Sequence, residues 1–221
     1  IDHRFDISEA QKVYQVLSSE RSSLGIVLNY PAEGLTQKQS SVVSIENHIA
    51  KISTVPTISF LGSGNYATRM LVPAFKAANV YLKNIVSSAG ISSKLSAKKN
   101  GFSQASTDEN ILYQDDATEV IVVATRHNLH AKQVIKALQS SKHVFVEKPL
   151  ALTLAELEEI KEVYLNSKNQ LLMVGFNRRF SPHIQTIKQL LSTSSSPKTF
   201  NMTINAGHIP SEHWTQQSEI G

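Results

Sequence analysis

The chain has 221 residues, enough for one full domain and part of another, and its 41% apolar and 18% charged content is that of an ordinary globular protein. It has no cysteine, which excludes a disulfide framework and a thiolate metal site, and no metal is expected. The net charge of +4 comes from scattered lysines rather than one basic run, no apolar run approaches a membrane span, and no signal peptide opens the chain; a cytoplasmic protein with neither nucleic-acid nor membrane partners is expected.

The chain begins at Ile1 and stops at Gly221, and both ends look cut from something longer. In chain order, Ser8 is placed to cap a helix over Glu9–Leu17, with Val13, Val16 and Leu17 on one stripe. Ser18–Ser23 break that helix, and Gly25–Tyr30 follow as a strand. One helix and one strand cannot bury a core of their own. Pro31–Thr54 is polar, rich in Ser and Gln, without a period, and looks like a linker.

From Pro56 strands and helices alternate. Strands are expected at Thr57–Leu61, Leu82–Ser87, Glu119–Ala124, His143–Val146 and Gln170–Val174. Helices are expected at Tyr66–Ala78, Ile91–Asn100, His130–Ser140 and Leu154–Asn166, the last opened by a Thr153/Glu156 capping box. Ile121-Val122-Val123 is apolar on both faces, as a central strand covered on both sides must be. The alternation predicts an α/β fold with a doubly wound parallel sheet. A further helix through Ile184, Ile187, Leu190 and Leu191, a serine-rich break at Ser192–Ser196 and an alternating strand at Thr199–Asn205 look like the start of a second domain.

The first of these strands runs into Gly62-Ser63-Gly64-Asn65-Tyr66-Ala67, a G-x-G-x-x-A pattern. Gly62 makes the tight turn, Gly64 lets backbone approach a pyrophosphate, and Ala67 lets the helix pack closely on the strand. Asn65 and Tyr66 stand at the helix N-terminus, whose free N–H groups face the anion. A plain glycine turn fits the same letters; the complete βαβ unit around them favours a dinucleotide. The acidic residue that binds a ribose 2′-hydroxyl is missing, because no Asp or Glu occurs between Glu46 and Asp108. The second strand ends in Ser87-Ser88, with Lys94 and Lys98 on the next helix, so NADP is favoured over NAD, although surface lysines are commonly just solvated.

Thr125-Arg126-His127-Asn128-Leu129-His130 follows the central strand, at the edge where doubly wound sheets bind ligands. Thr125 or Asn128 is placed to face the cofactor and His130 to cap the next helix, while His127 and His130 can equally be solvated loop residues. Val144-Phe145-Val146 delivers Glu147-Lys148-Pro149 to the same edge. A lysine there can exchange a proton with a substrate hydroxyl while hydride moves to or from a nicotinamide. Glu147 would balance and orient it and Pro149 would fix the backbone; the competing reading is a surface Glu-Lys pair ending an edge strand.

Taken together, Gly62–Ala67, Glu147-Lys148-Pro149-Leu150 and Gly175-Phe176-Asn177-Arg178-Arg179-Phe180 with Ser181-Pro182 resemble the Gfo/Idh/MocA family of sugar and inositol dehydrogenases over residues 57–221. The resemblance implies a Rossmann domain over 57–178 and, from 179, the incomplete start of an α/β substrate domain with a mostly antiparallel sheet. It implies a catalytic Lys148, often with a cis Lys-Pro bond, cofactor contacts from the glycine loop, Ser87, Ser88, Thr125, His127, His130, Glu147 and Pro149, and substrate contacts from Asn177 and Arg178. Arg179 would tie the two domains, and Trp214 would line the pocket or pack. Family enzymes carry an Asp and a His on a later helix, beyond Gly221; His208, His213 and Trp214 precede that point, and the fragment is expected to be inactive.

The function implied is NAD(P)-dependent hydride transfer to or from a sugar-like hydroxyl or ketone, by a homo-oligomer in the full-length protein. The alternative, from another class, is a non-catalytic NAD(P)-binding regulator or scaffold. Residues 1–31 look like the C-terminal end of a zinc-type medium-chain alcohol dehydrogenase, joined by a linker over 32–56. That implies a fusion of two enzymes and, by the company such fusions keep, a nucleotide sugar as substrate.

Overall fold

The computed structural model describes residues 1, 3–19, 25–30, 40–45, 54–205, 207–217, 219 and 220. The chain divides into two units, Ile1–Ser40 and Ser41–Gly221. The expected break at Ser18–Ser23 does not begin where the sequence suggested, since α1 continues through Ser18 and Ser19, whose hydroxyls bond back to the carbonyls of the preceding turn; residues 20–24 and most of the expected linker lie outside the described residues. In the first unit, β1 (His3–Asp6), α1 (Ala10–Ser19) and β2 (Ile26–Asn29) form a β-α-β unit, the two strands pairing in parallel. The cap is Asp6 rather than Ser8: the Asp6 carboxylate accepts the Ser8 N–H at 2.9 Å, opening a 3₁₀ turn over Ile7–Glu9 that leads into α1. The negative side chain two residues earlier outcompetes the hydroxyl for the free amides.

The second unit is built on a seven-stranded sheet. It contains β3 (Val42–Ser44), β4 (Thr57–Leu61), α2 (Val72–Ala77), β5 (Tyr81–Val86), α3 (Gly90–Asn100), β6 (Gln104–Ser106), α4 (Asn110–Tyr113), β7 (Val120–Val123), α5 (His127–Gln139), β8 (His143–Glu147), α6 (Leu154–Asn166), β9 (Leu172–Gly175) and α7 (Pro182–Leu191). The strand order is β3-β6-β5-β4-β7-β8-β9, all parallel except β3, which pairs antiparallel with β6. The order reverses between β4 and β7, and in such a sheet the crevice for a ligand lies at the carboxyl ends of those two strands.

Successive residues of the central strands feed two separate cores. Ile121 and Val123 join Leu61, Val134, Ala137, Leu138, Val146 and Ile160 on the face covered by α5 and α6. Val122 joins Phe60, Val72, Ile85, Ala97 and Phe102 on the face covered by α2 and α3. Helices on both faces are why the strands are apolar throughout. Between the glycine turn and α2, residues Ala67–Leu71 take a π-turn in which the Val72 N–H reaches back five residues to Ala67 O. The wider turn accommodates Pro73, which has no N–H to give and whose ring would crowd the preceding carbonyl in a regular helix.

On the α4–β7 connection, Asp115 accepts from Lys83 Nζ at 2.6 Å, from the Thr118 hydroxyl at 2.7 Å and from Asn84 Nδ2 at 3.3 Å. Burial pulls this carboxyl up, but the Lys83 ammonium, the Thr118 hydroxyl and the Ala117 amide outweigh it and hold it below the ordinary carboxylate range. Asp115→Ala is expected to cost about 1–3 kcal/mol in urea unfolding at neutral pH, since four donors, the Ala117 amide included, lose this acceptor. The difference should shrink in acid. A lowered folded-state value means the contribution is present above the unfolded pKa and fades as pH falls through the folded one.

The strand expected at Thr199–Asn205 is not formed. Those residues have no regular secondary structure and leave Phe200, Met202 and Ile204 exposed, because an alternating pattern supplies a face but not the neighbouring strand that must satisfy its amides. Among the described residues, no helix is long and apolar enough to cross a membrane.

Candidate functional site

The sheet register brings the glycine turn and the lysine loop to one rim. Leu61 pairs with Val123, and Val123 pairs with Val146, so Gly62, Ala124 and Glu147 stand at one level where three parallel strands end. With neighbouring strands about 4.8 Å apart, β4 and β8 are separated by about 10 Å, and Lys148 projects beyond that level.

Gly62 has φ +102°, and a Cβ there would lie 2.3 Å from Ala124 O and 2.7 Å from its carbonyl carbon. The turn therefore presses on the end of β7 and tolerates no side chain. Gly64 is different: a Cβ there would meet nothing within 4 Å. No protein atom demands glycine at 64, and the bare backbone faces open space at the position assigned to a pyrophosphate. The Thr68 N–H bonds to Gly64 O at 3.0 Å, so the helix opens there and its preceding amides lack intrahelical acceptors. Ala67 is buried, as close helix–strand packing needs. These residues fit a dinucleotide.

Ser87 is half-buried and Ser88 exposed at the end of β5. The Ser92 hydroxyl, in the first turn of α3, lies 3.1 Å from that of Ser63 and 3.4 Å from that of Ser87. Neither Ser63 nor Ser92 was singled out in the sequence; the run Ser87-Ser88-Ala89-Gly90-Ile91-Ser92-Ser93 is the signal that holds the second of them.

After β7, the Thr125 hydroxyl donates to Gln133 Oε1 at 2.6 Å, and Gln133 Nε2 donates to Glu109 Oε2 at 2.8 Å. The hydroxyl of Thr125 is thus held by the protein itself. Gln133, buried within the apolar stripe of α5, sets the direction of that hydroxyl, and its signal was a polar side chain among Ala131, Val134 and Ala137.

The two histidines separate. α5 begins at His127, with extended Arg126 as its N-cap, so His130 does not cap the helix. It lies inside it, 1% exposed, with both ring nitrogens against main-chain carbonyls, which moves it from the cleft wall to the core beneath. His127 is half-buried, its ring 5.7 Å from that of His130 and 4.7 Å from that of Trp214 at 74°. Burial, then the proximity of His130 and Lys148, holds His127 below the ordinary imidazole value. Trp214 opens a short 3₁₀ turn, and nearby the Asn128 N–H donates to Ile220 O at 3.2 Å.

The Lys148–Pro149 peptide bond is cis, and Lys148 is exposed at the rim. Glu147 does not form an ion pair with it among the described residues; Lys148 acts on the carboxyl through its backbone amide and, more weakly, through its charge. Glu147 is 8% exposed, burial pushes its carboxyl above the ordinary range despite Lys148, and its Oε1 has no hydrogen-bond partner. Gly175 makes room for it, since a Cβ there would sit 2.6 Å from Oε1. The side chain turns inward between strands, away from the lysine that follows it.

Beyond β9, Asn177 Nδ2 donates to the Tyr66 hydroxyl and so joins the 3₁₀ turn over Asn177–Phe180 to the glycine-loop helix. Arg178 is exposed there. The Arg179 guanidinium lies 5.9 Å from the Phe176 ring and 5.8 Å from the Phe180 ring, stacking on its own turn.

The comparisons agree with this geometry. The chain is 30% identical over 109 residues to a myo-inositol 2-dehydrogenase of Thermotoga maritima, covering 49% of this chain and 32% of that one. It is 38% identical over 81 residues to the scyllo-inositol 2-dehydrogenase (NADP(+)) IolW of Bacillus subtilis, covering 37% and 22%. An oxidoreductase domain protein from Kribbella flavida superposes with a TM-score of 0.59 at 27% identity, over 63% of this chain and 39% of that structure. The chain thus spans about a third or less of the length of these curated relatives. With the glycine turn, the Lys148 loop and the reversal of strand order all on the stretch 57–176 that matches GFO_IDH_MocA, the chain belongs to that oxidoreductase family with its NAD-binding Rossmann fold.

Proposed function

We propose that the full-length protein is an NAD(P)-dependent oxidoreductase that interconverts a ring hydroxyl and a ketone on a sugar-like or cyclitol substrate, with Lys148 as acid and base. The observation that carries this reading is the register that sets Gly62 and the Lys148 loop on one rim. The nicotinamide, when bound, takes or gives hydride. In the oxidative direction Lys148 as the free amine takes the hydroxyl proton as the C–H bond breaks and the C=O bond forms; in reduction its ammonium returns that proton to the alkoxide oxygen. Asn177 and Arg178, after β9, and Trp214, against His127, are assigned to the substrate side. Homo-oligomeric assembly is part of the same reading.

NADP is the preferred cofactor. Support comes from the Ser63, Ser87 and Ser92 hydroxyls at the end of β5, from the exposed Lys94 and Lys98 on α3, and from the NADP(+)-dependent relative. Residues 1–31 are read as the end of a preceding zinc-type alcohol-dehydrogenase domain and 179–221 as the start of the substrate domain. A nucleotide sugar joins the substrate panel on that basis.

The test is an assay of the full-length protein with NADP⁺ or NAD⁺ against inositols, hexopyranosides and nucleotide sugars, following reduced nicotinamide. Turnover with at least one ring polyol, and tighter binding of NADPH than NADH in fluorescence titration, are expected. Cofactor binding without turnover on any of them, in either direction, would favour a regulator. Tighter NADH binding would overturn the cofactor preference.

A further inference from the structure

We propose that His130 is a positioning residue for Lys148: from the core beneath the cleft its imidazole clamps the loop after β8 to α5, the helix that follows β7. The inference rests on the reading of Lys148 as acid and base. His130 Nδ1 is 2.7 Å from Pro149 O, and Nε2 is 3.2 Å from Thr125 O. Both partners are carbonyls and can only accept, so a neutral ring, with one N–H, can satisfy only one of them. The shorter contact assigns that N–H to Nδ1 and Pro149.

The two ring contacts are unequal. Thr125 is held independently, through its hydroxyl on Gln133 and Gln133 on Glu109. Pro149 has no N–H to offer, and His130 supplies the hydrogen bond to its carbonyl. The residue immediately before it, Lys148, is exposed and, among the described residues, forms no ion pair. The main-chain tie one residue away therefore fixes the backbone from which the lysine side chain reaches out. An error of about 1 Å in such a position can cost on the order of a hundredfold in rate.

Two amides dissect the clamp in the full-length protein. The amide nitrogen of His130→Asn falls near the place of Nδ1, whereas that of His130→Gln falls near the place of Nε2. His130→Gln and His130→Leu are expected to lower kcat about 10–100-fold with the NADPH dissociation constant unchanged, and His130→Asn to restore kcat close to the parent value. His130→Leu should add no further loss on a Lys148→Met background. Amide hydrogen exchange across residues 147–152 reads the clamp without catalysis: faster in the Gln and Leu variants, restored in the Asn variant. Equal exchange in all variants, or Asn no better than Gln, would overturn the proposal. Loss of turnover in Lys148→Met together with unaltered exchange in His130→Leu would sink the clamp alone. Full turnover in Lys148→Met with altered exchange would keep the clamp and remove the catalytic reading. If His130→Leu does not fold, the Asn and Gln pair decides.

Discussion

Lys148→Met in the full-length protein is expected to lower kcat by about 10²–10⁴-fold, the range that a positioned acid–base group supplies, while the NADPH dissociation constant stays close to that of the parent. Methionine keeps the unbranched apolar stem and removes only the proton carrier. Because Lys148 is exposed and, among the described residues, has no ion-pair partner, the substitution leaves little else to disturb, and thermal unfolding should be nearly unchanged. Steady-state rates and a fluorescence titration on the same preparation separate chemistry from binding. A variant that turns over within about tenfold of the parent would refute the assigned role, since that leaves less than about 1.4 kcal/mol for the group to supply.

The second large effect divides two glycines that look alike in sequence. Gly62→Ala is expected to destabilise the fold by more than about 1–3 kcal/mol, the range for a side chain held at an unfavourable backbone conformation. The excess comes from driving a methyl into the Ala124 carbonyl, a backbone group with no rotamer to yield. Gly64→Ala is expected to leave thermal stability unchanged or slightly raised, because the methyl meets no protein atom and the unfolded chain loses freedom. Its cost appears in binding: the methyl occupies the open space offered to the pyrophosphate, and NADPH affinity should fall at least about tenfold, or about 1.4 kcal/mol. Calorimetry and cofactor titration on both variants read the contrast. Gly64→Ala binding as tightly as the parent would remove the phosphate from this loop.

How far the fold could be read in advance followed from where its physics is local. Ile121-Val122-Val123 announced a strand covered on both sides because each residue feeds a core, and the observed cores divide them that way. The glycine turn and the Thr153/Glu156 capping box were legible because each is completed within a few residues. What failed depended on distant partners. Val42-Val43-Ser44, inside a stretch that looked like linker, becomes the edge strand only because Gln104–Ser106 lies beside it. Thr199–Asn205 has the alternation of a strand and, among the described residues, no neighbour to pair with.

At the site, the end of the sheet to search was legible, but the direction of individual side chains was not. His130 was placed at the start of a helix that begins three residues before it, because Arg126 caps through its extended backbone without any Ser, Thr, Asp or Asn to mark the start. Glu147 and Lys148 looked like a pair. Strand alternation sends them to opposite sides, and the carboxyl settles against Gly175, a contact that no spacing in the sequence discloses.

The aromatic residues of the α2 face carry one more consequence. Phe102, Phe60, Phe75 and Phe145 follow one another edge to face, with centroids 5.5–5.6 Å apart and planes at 83–88°. Phe75 belongs to the helix leaving the glycine turn and Phe145 to the strand that ends at Glu147, so this relay bolts one bank of the crevice to the other. Rings meeting at right angles resist sliding as well as separation. The gauge between the glycine turn and the Lys148 loop is therefore preset by hydrocarbon, and on the function proposed for them a dinucleotide would arrive at a slot already cut to length.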